Sequence, residues 1–300
     1  MGSTGVAFSP CQITGFFKIH DSAKNPLEIG STGAGINLQH GVTTSVRIGR
    51  TSRPKLTILF NQKPLPNPVV SLSVIREHLR GSLRKWQLTV SHESILPLGC
   101  GYGTSGAGAL SLSLALNEAL GSKLSKVECA QIAHKVELKN RTGLGTVTSA
   151  FFGGFLLRTK PGAPGFAKVT KIIPSSSLRV VSGAFGPIST KGVLSSSDLS
   201  NRINQCGGGL VALQARSRET GTFLRLSQRF ARCLGIISPR LAEAISKMDA
   251  RKLMSSMMMI GESIFTVVQK DLVPEARIIL REVGLLPIVS RISHRGAWVL

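Results

Sequence analysis

The stretch Pro97-Leu98-Gly99-Cys100-Gly101-Tyr102-Gly103-Thr104-Ser105-Gly106-Ala107-Gly108-Ala109 constrains this chain more than any other. Three glycines alternate, two hydroxyl residues follow, and an apolar helical run begins. Glycine lets the backbone turn sharply and come close to a ligand. Thr104 or Ser105 is placed to cap the following helix, whose free N–H groups point back into the loop. A helix N-terminus carries roughly half a positive charge, so the arrangement suits a phosphate. Ser105 also offers an oxygen to magnesium, a hard cation.

The stretch contains G-x-G-x-x-G at Gly101, Gly103 and Gly106. A dinucleotide-binding reading requires an acidic residue about twenty positions on, after a second strand. Glu128 has nearly that spacing, but Ser125-Lys126-Val127-Glu128 spells a helical capping box. No Lys-Ser or Lys-Thr closes the glycine loop, which removes the P-loop reading. A glycine-rich loop that simply enters a buried helix remains open as a structural reading.

Charge bears on partners. The net charge of +22 suits nucleic acid, an anionic surface or anionic small substrates. The lysines and arginines are spread along the chain, with no dense basic tail and no aromatic-interleaved patch. This favours a solvated basic surface, with nucleic-acid binding as the minority reading. Carboxylates are few, and none occurs between Glu137 and Asp198. Acid chemistry in the first half must draw on Asp21, Glu28, Glu77, Glu93, Glu118, Glu128 and Glu137.

The 300 residues and 42% hydrophobic content suffice for one large or two ordinary domains with a real core. Cysteines 11, 100, 129, 206 and 233 are odd in number and scattered, without C-x-x-C. That indicates neither a zinc site nor a disulfide framework, and points to a reducing cytoplasm. The first twenty residues do not read as a signal peptide, and no apolar run reaches membrane-spanning length.

Along the chain, residues 6–20 read as a strand and a turn leading to His20-Asp21, and residues 30–35 as a second small-residue loop. Strands are expected at 42–48, 55–60 and 86–90, with a proline-broken loop at 61–68 and a helix at 74–83. Helices follow at 104–120, ended by Gly121, and at 125–138. A glycine turn spans 140–146, and Gly153-Gly154 precede a strand at 155–158. The break at Lys160–Gly165 places a domain boundary there, giving domains 1–165 and 166–300. Beyond it, strands are expected at 169–173 and 178–181, a polar connection at 195–200, and helices at 222–234, from Pro239 and at 274–283. The Met-rich run 253–260 reads as core filling, a strand covers 263–268, and 287–300 reads as a hairpin turning near His294-Arg295-Gly296. Strands mixed with helices in each half give an α+β class.

Pro97 to Ala107 resembles the phosphate loop of the GHMP kinases, P-x-G-x-G-L-G-S-S-A-A, with Tyr102 for Leu and Gly106 for the first Ala. Other pieces fall in order. Ile13-Thr14-Gly15-Phe16-Phe17, His20-Asp21, Gly33-Ala34-Gly35-Ile36 and Gly41-Val42 resemble the N-terminal pattern of the archaeal pantoate kinase branch. Ala133-His134, Glu137, Thr142-Gly143-Leu144-Gly145, Gly153-Gly154, Arg158 and Pro161-Gly162-Ala163-Pro164-Gly165 continue it, and Met257–Phe265 is similar to its third motif.

The resemblance implies a two-domain α+β fold: an N-terminal ribosomal-protein-like domain with a left-handed crossover, and a ferredoxin-like C-terminal domain. It implies ATP and pantoate as substrates, magnesium as cofactor, and transfer of the γ-phosphate to the 4-hydroxyl of pantoate on the way to coenzyme A. Pro97, Gly99, Gly101, Gly103, Thr104, Ser105 and Gly106 match the ATP-binding loop. Ser105 and Glu137 match the magnesium ligands, although Glu137 also reads as a solvated helix-end carboxylate. His20 and Asp21 fall where the family's first motif lines the substrate site; His20 reads equally as a structural histidine. Arg158 is the candidate for the pantoate carboxylate, by two-point pairing, or else a surface ion-pair partner.

One position departs from the pattern. Other GHMP kinases such as mevalonate kinase carry a catalytic Asp about seven residues before the Gly-Gly pair; here that position is Thr146. Homoserine kinases of the superfamily also lack it. Phosphoryl transfer rests mostly on positioning and electrostatics, so a site without a base remains workable, with Thr146 orienting the acceptor hydroxyl. The alternatives are a GHMP kinase for homoserine, shikimate or mevalonate, or a non-catalytic nucleic-acid-binding protein on the same scaffold. A homo-oligomer is compatible with the sequence.

Overall fold

The computed structural model describes residues 2–80, 85–188 and 197–300. Two sheets carry the architecture. The first is eight-stranded, with the path β12-β1-β2-β5-β3-β4 and β6 and β7 branching from β2. Its strands are β1 (Ser3–His20), β2 (Gly30–Arg50), β3 (Lys55–Phe60), β4 (Lys63–Pro64), β5 (Trp86–Glu93), β6 (Phe155–Lys160), β7 (Lys168–Ile172) and β12 (Trp298–Val299). The second is antiparallel, in the order β11-β8-β10-β9. It comprises β8 (Leu178–Gly186), β9 (Ser255–Met257), β10 (Glu262–Gln269) and β11 (Ile288–Ser290). Both sheets pack with helices, which gives an α+β fold.

The N-terminal segment differs from expectation. Residues 6–20 form no turn; they belong to one strand that pairs with β2 along its length. Pro10 and Gly15 are absorbed at two register shifts, between Pro10 and Gln12 and between Thr14 and Phe16. Such bulges bend a strand without ending it. Residues 30–35 are likewise strand, not loop. Their smallness answers close packing, since a Cβ on Gly35 would lie 2.3 Å from Gln12 Nε2. β2 pairs through Gly33–Ile36 with β6 and through Thr43–Arg50 with β5, so one strand serves two wings of the sheet.

Helices α1 (Val69–His78), α2 (Thr104–Leu120), α3 (Lys126–Asn140) and α4 (Thr146–Phe152) accompany this sheet. α1 starts five residues before the expected helix, and residues 81–83 of that expectation lie outside the described residues. α2 has the expected span, is buried over most of its surface, and ends at left-handed Gly121. α3 opens with the expected capping box, Ser125 Oγ accepting from Glu128 N.

Five further helices are described in the second half: α5 (Ser197–Gly207), α6 (Leu210–Ser217), α7 (Thr220–Leu234), α8 (Pro239–Ala250) and α9 (Val273–Glu282). α5 and α6 were not expected. Ser197–Ser200 begin α5 rather than a polar connection; residues 195 and 196 lie outside the described residues. α8 starts as expected, with Ser238 capping Leu241 N and Pro239 in the first turn. The C-terminal segment is not a hairpin. β11 pairs with β8 in the second sheet and β12 with β1 in the first, so residues 288–299 tie the sheets together. The expected division at 165/166 falls before β7, which pairs with β6 in the first sheet.

The cysteines also require a correction. Cys206 on α5 and Cys233 on α7 form a disulfide across 27 positions, while Cys11, Cys100 and Cys129 are free and buried. Spacing carries no sign of this bond, because the packing of α5 on α7 brings the pair together. No described helix is long and apolar enough to cross a membrane.

One buried cluster spans both sheets. The Phe223 ring on α7 lies 6.2 Å from Phe16 of β1, 4.9 Å from Phe155 of β6 and 5.8 Å from Phe265 of β10. All four rings are fully buried. Replacing Phe223 with Ala is expected to destabilise the protein by about 3–5 kcal/mol, read by urea unfolding, because the void opens where several elements meet.

Candidate active site

The glycine loop hangs between the two sheets. Gly99, Gly101 and Gly103 have φ of 73°, 83° and 65°, the left-handed region that favours glycine. This alternation explains why glycine occupies every second position. Gly103, not Thr104 or Ser105, is the N-cap of α2, and no side chain caps that end. The two hydroxyls enter the first turn instead and are left free for other partners.

Each flank of the loop is anchored. Gln12 N donates to the Tyr102 carbonyl at 2.9 Å, and Ile188 N to the Gly99 carbonyl at 3.1 Å. Tyr102, which stands where the family pattern has Leu, is fully buried and donates its hydroxyl to Ser182 Oγ on β8 at 3.0 Å. Ser263 Oγ of β10 donates to the Cys100 carbonyl at 2.7 Å. Thus three strands from two sheets set the loop's shape.

A cleft opens beside it, lined by Gly99, Gly101, Gly103, Thr104 and Ser105 from the loop. Thr142–Thr146, Thr14, Phe17, Ser31, Arg158, Met259 and Ile260 complete the wall. Met259 and Ile260 therefore do more than fill core; Met259 N donates to the Thr14 carbonyl at 3.1 Å, closing the cleft from the second sheet. Pro97, Gly106, His20 and Asp21 are not among the lining residues. His20 instead meets Thr32 Oγ1 at 3.0 Å, and Asp21 is exposed at the end of β1. Burial and nearby Lys18 hold the His20 pKa below its ordinary value, against the opposing pull of Asp21.

Arg158 is not a surface residue. It is 2% exposed, and no carboxylate lies within 4.0 Å among the described residues. Its Nη1 donates to Ser149 Oγ at 2.8 Å, and its Nε and Nη2 reach the Ser31 carbonyl and hydroxyl at 3.3 Å. Burial pulls its pKa down to about 10, so it stays charged at neutral pH. A guanidinium has five N–H donors, and three are used here. Ser31, read only as part of a small-residue loop in the sequence, emerges as an Arg158 partner and a cleft residue.

Glu137 is buried rather than solvated, at 2% exposure. It sits behind the cleft wall, where a Cβ on Gly106 or Gly143 would fall 2.8 or 2.6 Å from its Oε2. Both glycines keep that space open. Burial pushes its pKa up to about 7, against the pull of the Val147 amide and the Thr142 hydroxyl. Its Oε1 has no hydrogen-bond partner. An orphaned carboxylate oxygen behind a phosphate-type loop fits a hard cation such as magnesium. Thr146 opens α4, with its Cγ2 2.6 Å from where a Gly103 Cβ would be. No Asp or Glu lines the cleft among the described residues.

A second pocket shares Gly99, Thr104, Ser105 and Thr142 with the cleft. Phe60, Leu65, Pro66, Pro68, Val69 and Val70 make it markedly apolar. The proline-broken loop 61–68 therefore serves as a wall of the site.

Residues 69–154 match the family described as GHMP kinases N terminal domain. A pantoate kinase of Thermococcus kodakarensis is 30% identical, over 98% of this chain and 98% of that one. A pantoate kinase of Methanospirillum hungatei is 32% identical over 87% and 86%. A solved structure described as a phosphotransferase related to the CoA biosynthesis pathway superposes with a TM-score of 0.89, at 26% identity over 99% and 98% of the two chains.

Glu137 gives this site a pH signature. In the unfolded chain the carboxyl ionises near 4.5; in the fold it keeps its proton until about pH 7. Across that window the folded state holds the extra proton, so stability falls as pH rises and the loss is complete above it. Glu137→Gln is expected to stabilise the ligand-free protein above pH 7 by up to about 3 kcal/mol, with no gain below pH 4.5, as followed by thermal melts across pH.

Proposed function

The chain belongs to the pantoate kinase family of the GHMP kinases, and on that premise we propose that it transfers the γ-phosphate of ATP to the 4-hydroxyl of pantoate. The observation that carries this reading is the placement of a buried, carboxylate-free Arg158 across one cleft from the glycine loop.

The loop and the first turn of α2 supply backbone N–H groups and the positive end of a helix to the triphosphate. Thr104 and Ser105 contribute hydroxyls left unused by capping. The apolar pocket continuous with the loop takes the nucleobase. Ser105 and Glu137 would hold magnesium, which supplies charge shielding for the triphosphate when bound. Magnesium there would favour the ionised Glu137 carboxylate, against the protonated form that burial favours in the free protein.

Arg158 receives the pantoate carboxylate through its two remaining donors. Ser31 and Ser149 hold the guanidinium plane still, which is what a two-point pairing needs. This orients the acceptor's 4-hydroxyl toward the loop, beside Thr146. His20 and Asp21 lie outside the cleft lining and take no part in the proposed transfer.

Attack by the 4-hydroxyl oxygen forms the new O–P bond as the bond to ADP breaks. With no carboxylate at position 146, the hydroxyl proton passes to a phosphoryl oxygen or to water, and Thr146 orients the hydroxyl. The loose transition state develops little demand for a base.

ADP release from the purified protein with ATP and magnesium, measured with D-pantoate, homoserine, shikimate and mevalonate in turn, tests the assignment. Release dependent on pantoate alone is expected; release with another acceptor moves the substrate. Arg158→Lys is expected to raise the pantoate KM roughly tenfold to a hundredfold while leaving the ATP KM little changed, because a point charge replaces a fork. Thr146→Asp is expected to bring no large gain in kcat. A large gain with unchanged binding would refute the base-free mechanism.

A further inference from the structure

The Cys206–Cys233 disulfide joins α5 to α7 at the surface. Cys233 is exposed and Cys206 half-buried, so the bond is open to attack from solution. Arginine stands one helical turn before each cysteine, Arg202 on α5 and Arg229 on α7. Residues four apart are neighbours on a helix surface, so each arginine shares a face with its cysteine. Both arginines are exposed, and neither has a carboxylate within 4.0 Å among the described residues. Arg202 also reaches across to α7. Its Nη2 lies 2.8 Å from where a Cβ on Gly235 would stand, two residues beyond Cys233. Arg232 is a further cation at this end of α7, and it pairs with Asp249 at 3.7 Å. Phosphate transfer as described above uses none of these groups.

The same two helices hold the strand behind the acceptor side of the cleft. Asn204, two residues before Cys206, accepts from Ile19 N through its Oδ1 at 2.8 Å. Gly207, the residue after Cys206, backs closely onto β1: a Cβ there would stand 2.3 Å from the Phe17 carbonyl oxygen. On α7 the Phe230 ring, three residues before Cys233, lies 5.7 Å from the Phe17 ring. Ile19 is paired in register with Ser31 of β2. Ser31 in turn accepts from Arg158 at both its carbonyl and its hydroxyl. Contacts therefore run without a break from the disulfide through Asn204, Ile19 and Ser31 to the guanidinium. None of the loop's anchors, at Gln12, Ser182 and Ser263, lies on α5 or α7.

We propose that Cys206–Cys233 is an exchange site for small anionic thiols, and that opening it loosens the seat of Arg158. The proposal rests on the reading above that Arg158 takes the acceptor carboxylate. Exchange begins when a thiolate attacks the exposed Cys233 sulfur. Its sulfur bonds to Cys233, the Cys206–Cys233 bond breaks, and Cys206 leaves with the electron pair and takes a proton from water. A second thiolate attacks the reagent's sulfur in the mixed disulfide and releases Cys233. Two small thiols thus become one small disulfide as the protein gains two cysteine thiols. Arg202 and Arg229 attract a negatively charged reagent, and a neighbouring cation favours the departing thiolate. Once the bond is open, α5 keeps only noncovalent contacts, and Ser31 holds Arg158 less firmly. Two-point pairing needs a fixed guanidinium plane, so the acceptor binds more weakly while the glycine loop keeps its anchors.

The test uses 2-mercaptoethanesulfonate, 2-mercaptoethanol and cysteamine on the full chain. They share a two-carbon chain and carry an anionic, a neutral and a cationic end group. Mass spectrometry after alkylation follows loss of the disulfide and locates the mixed disulfide. Rates are compared per thiolate and repeated across salt. At low salt the sulfonate is expected to react roughly tenfold faster than cysteamine, and the gap should close at roughly 1 M salt. Joint replacement by Arg202→Gln and Arg229→Gln should abolish the gap. Opening the bond is expected to raise the pantoate KM about threefold to tenfold and leave the ATP KM unchanged. The Cys206→Ser/Cys233→Ser variant should show the raised pantoate KM with or without thiol.

Equal rates for the three thiols overturn the proposal. A bond that only braces the fold would lower the melting temperature on opening yet leave the pantoate KM of the folded protein unchanged. That result overturns it too, as does unfolding on opening, seen by circular dichroism. An equal rise in both KM values marks general loosening and also counts against it. Disulfide-bonded protein that turns over ATP with another acceptor, or with none, sinks the acceptor reading and the KM half of this proposal. The exchange rates still decide whether the site prefers anionic thiols.

Discussion

The packing of Phe223 against Phe16, Phe155 and Phe265 is the contact on which the rest of the molecule depends. Two of its partners come from the first sheet and one from the second. The glycine loop is tied to both sheets by Gln12, Ser182 and Ser263. Its geometry therefore depends on the relative position of the sheets, which the aromatic cluster fixes. Gly15 shows how close the approach is: a Cβ there would stand 2.1 Å from Ser227 Oγ and 2.5 Å from the Phe223 ring. At that point of β1 the register shift leaves Gly15 without a β2 partner, and its lack of a side chain gives α7 room to pack.

Charge in the site is arranged by scarcity. The chain has 37 Lys and Arg against 15 Asp and Glu. Arg158 and Glu137 are the two buried ionic groups at the site, and neither is paired with an opposite charge among the described residues. Burying an unpaired charge is costly, and proteins keep such groups chiefly where a ligand completes them. In the proposed reading an anionic acceptor would complete one and a cation the other. On that reading Arg158 carries an unpaired buried charge in the free protein, and Glu137 avoids one below about pH 7 by keeping its proton.

Much of the fold was legible because local chemistry decided it. The span of α2, its Gly121 end and the Ser125–Glu128 capping box follow from residues within one turn of each other. The errors share a different cause. Pro10 and Gly15 read as turn signals, yet a bulged central strand absorbs both; Gly33 and Gly35 read as loop, yet close packing against β1 demands them. The Cys206–Cys233 bond and the split of residues 288–299 between two sheets depend on tertiary placement that no spacing encodes. In the site, the glycine loop was readable from its own pattern. Ser31 was not, since a serine among glycines carries no mark of the arginine lying 127 positions away.

Thr146 shows how far the site can depart from a base-assisted pattern. The residue starts a helix whose position is fixed by Gly145, and it packs into space left by Gly103 and Gly106. An ionised Asp at this point would stand beside the buried Glu137 carboxylate, because the same Gly106 borders both residues. Like charges so placed disfavour each other's ionisation. A neutral hydroxyl avoids that repulsion, which in the proposed reading would leave Glu137 free to ionise for a cation. In the proposed reading, a Thr at this position would exchange proton abstraction for an undivided carboxylate at Glu137. That exchange suits a reaction whose transition state is governed by charge on the phosphoryl oxygens more than by the acceptor's proton.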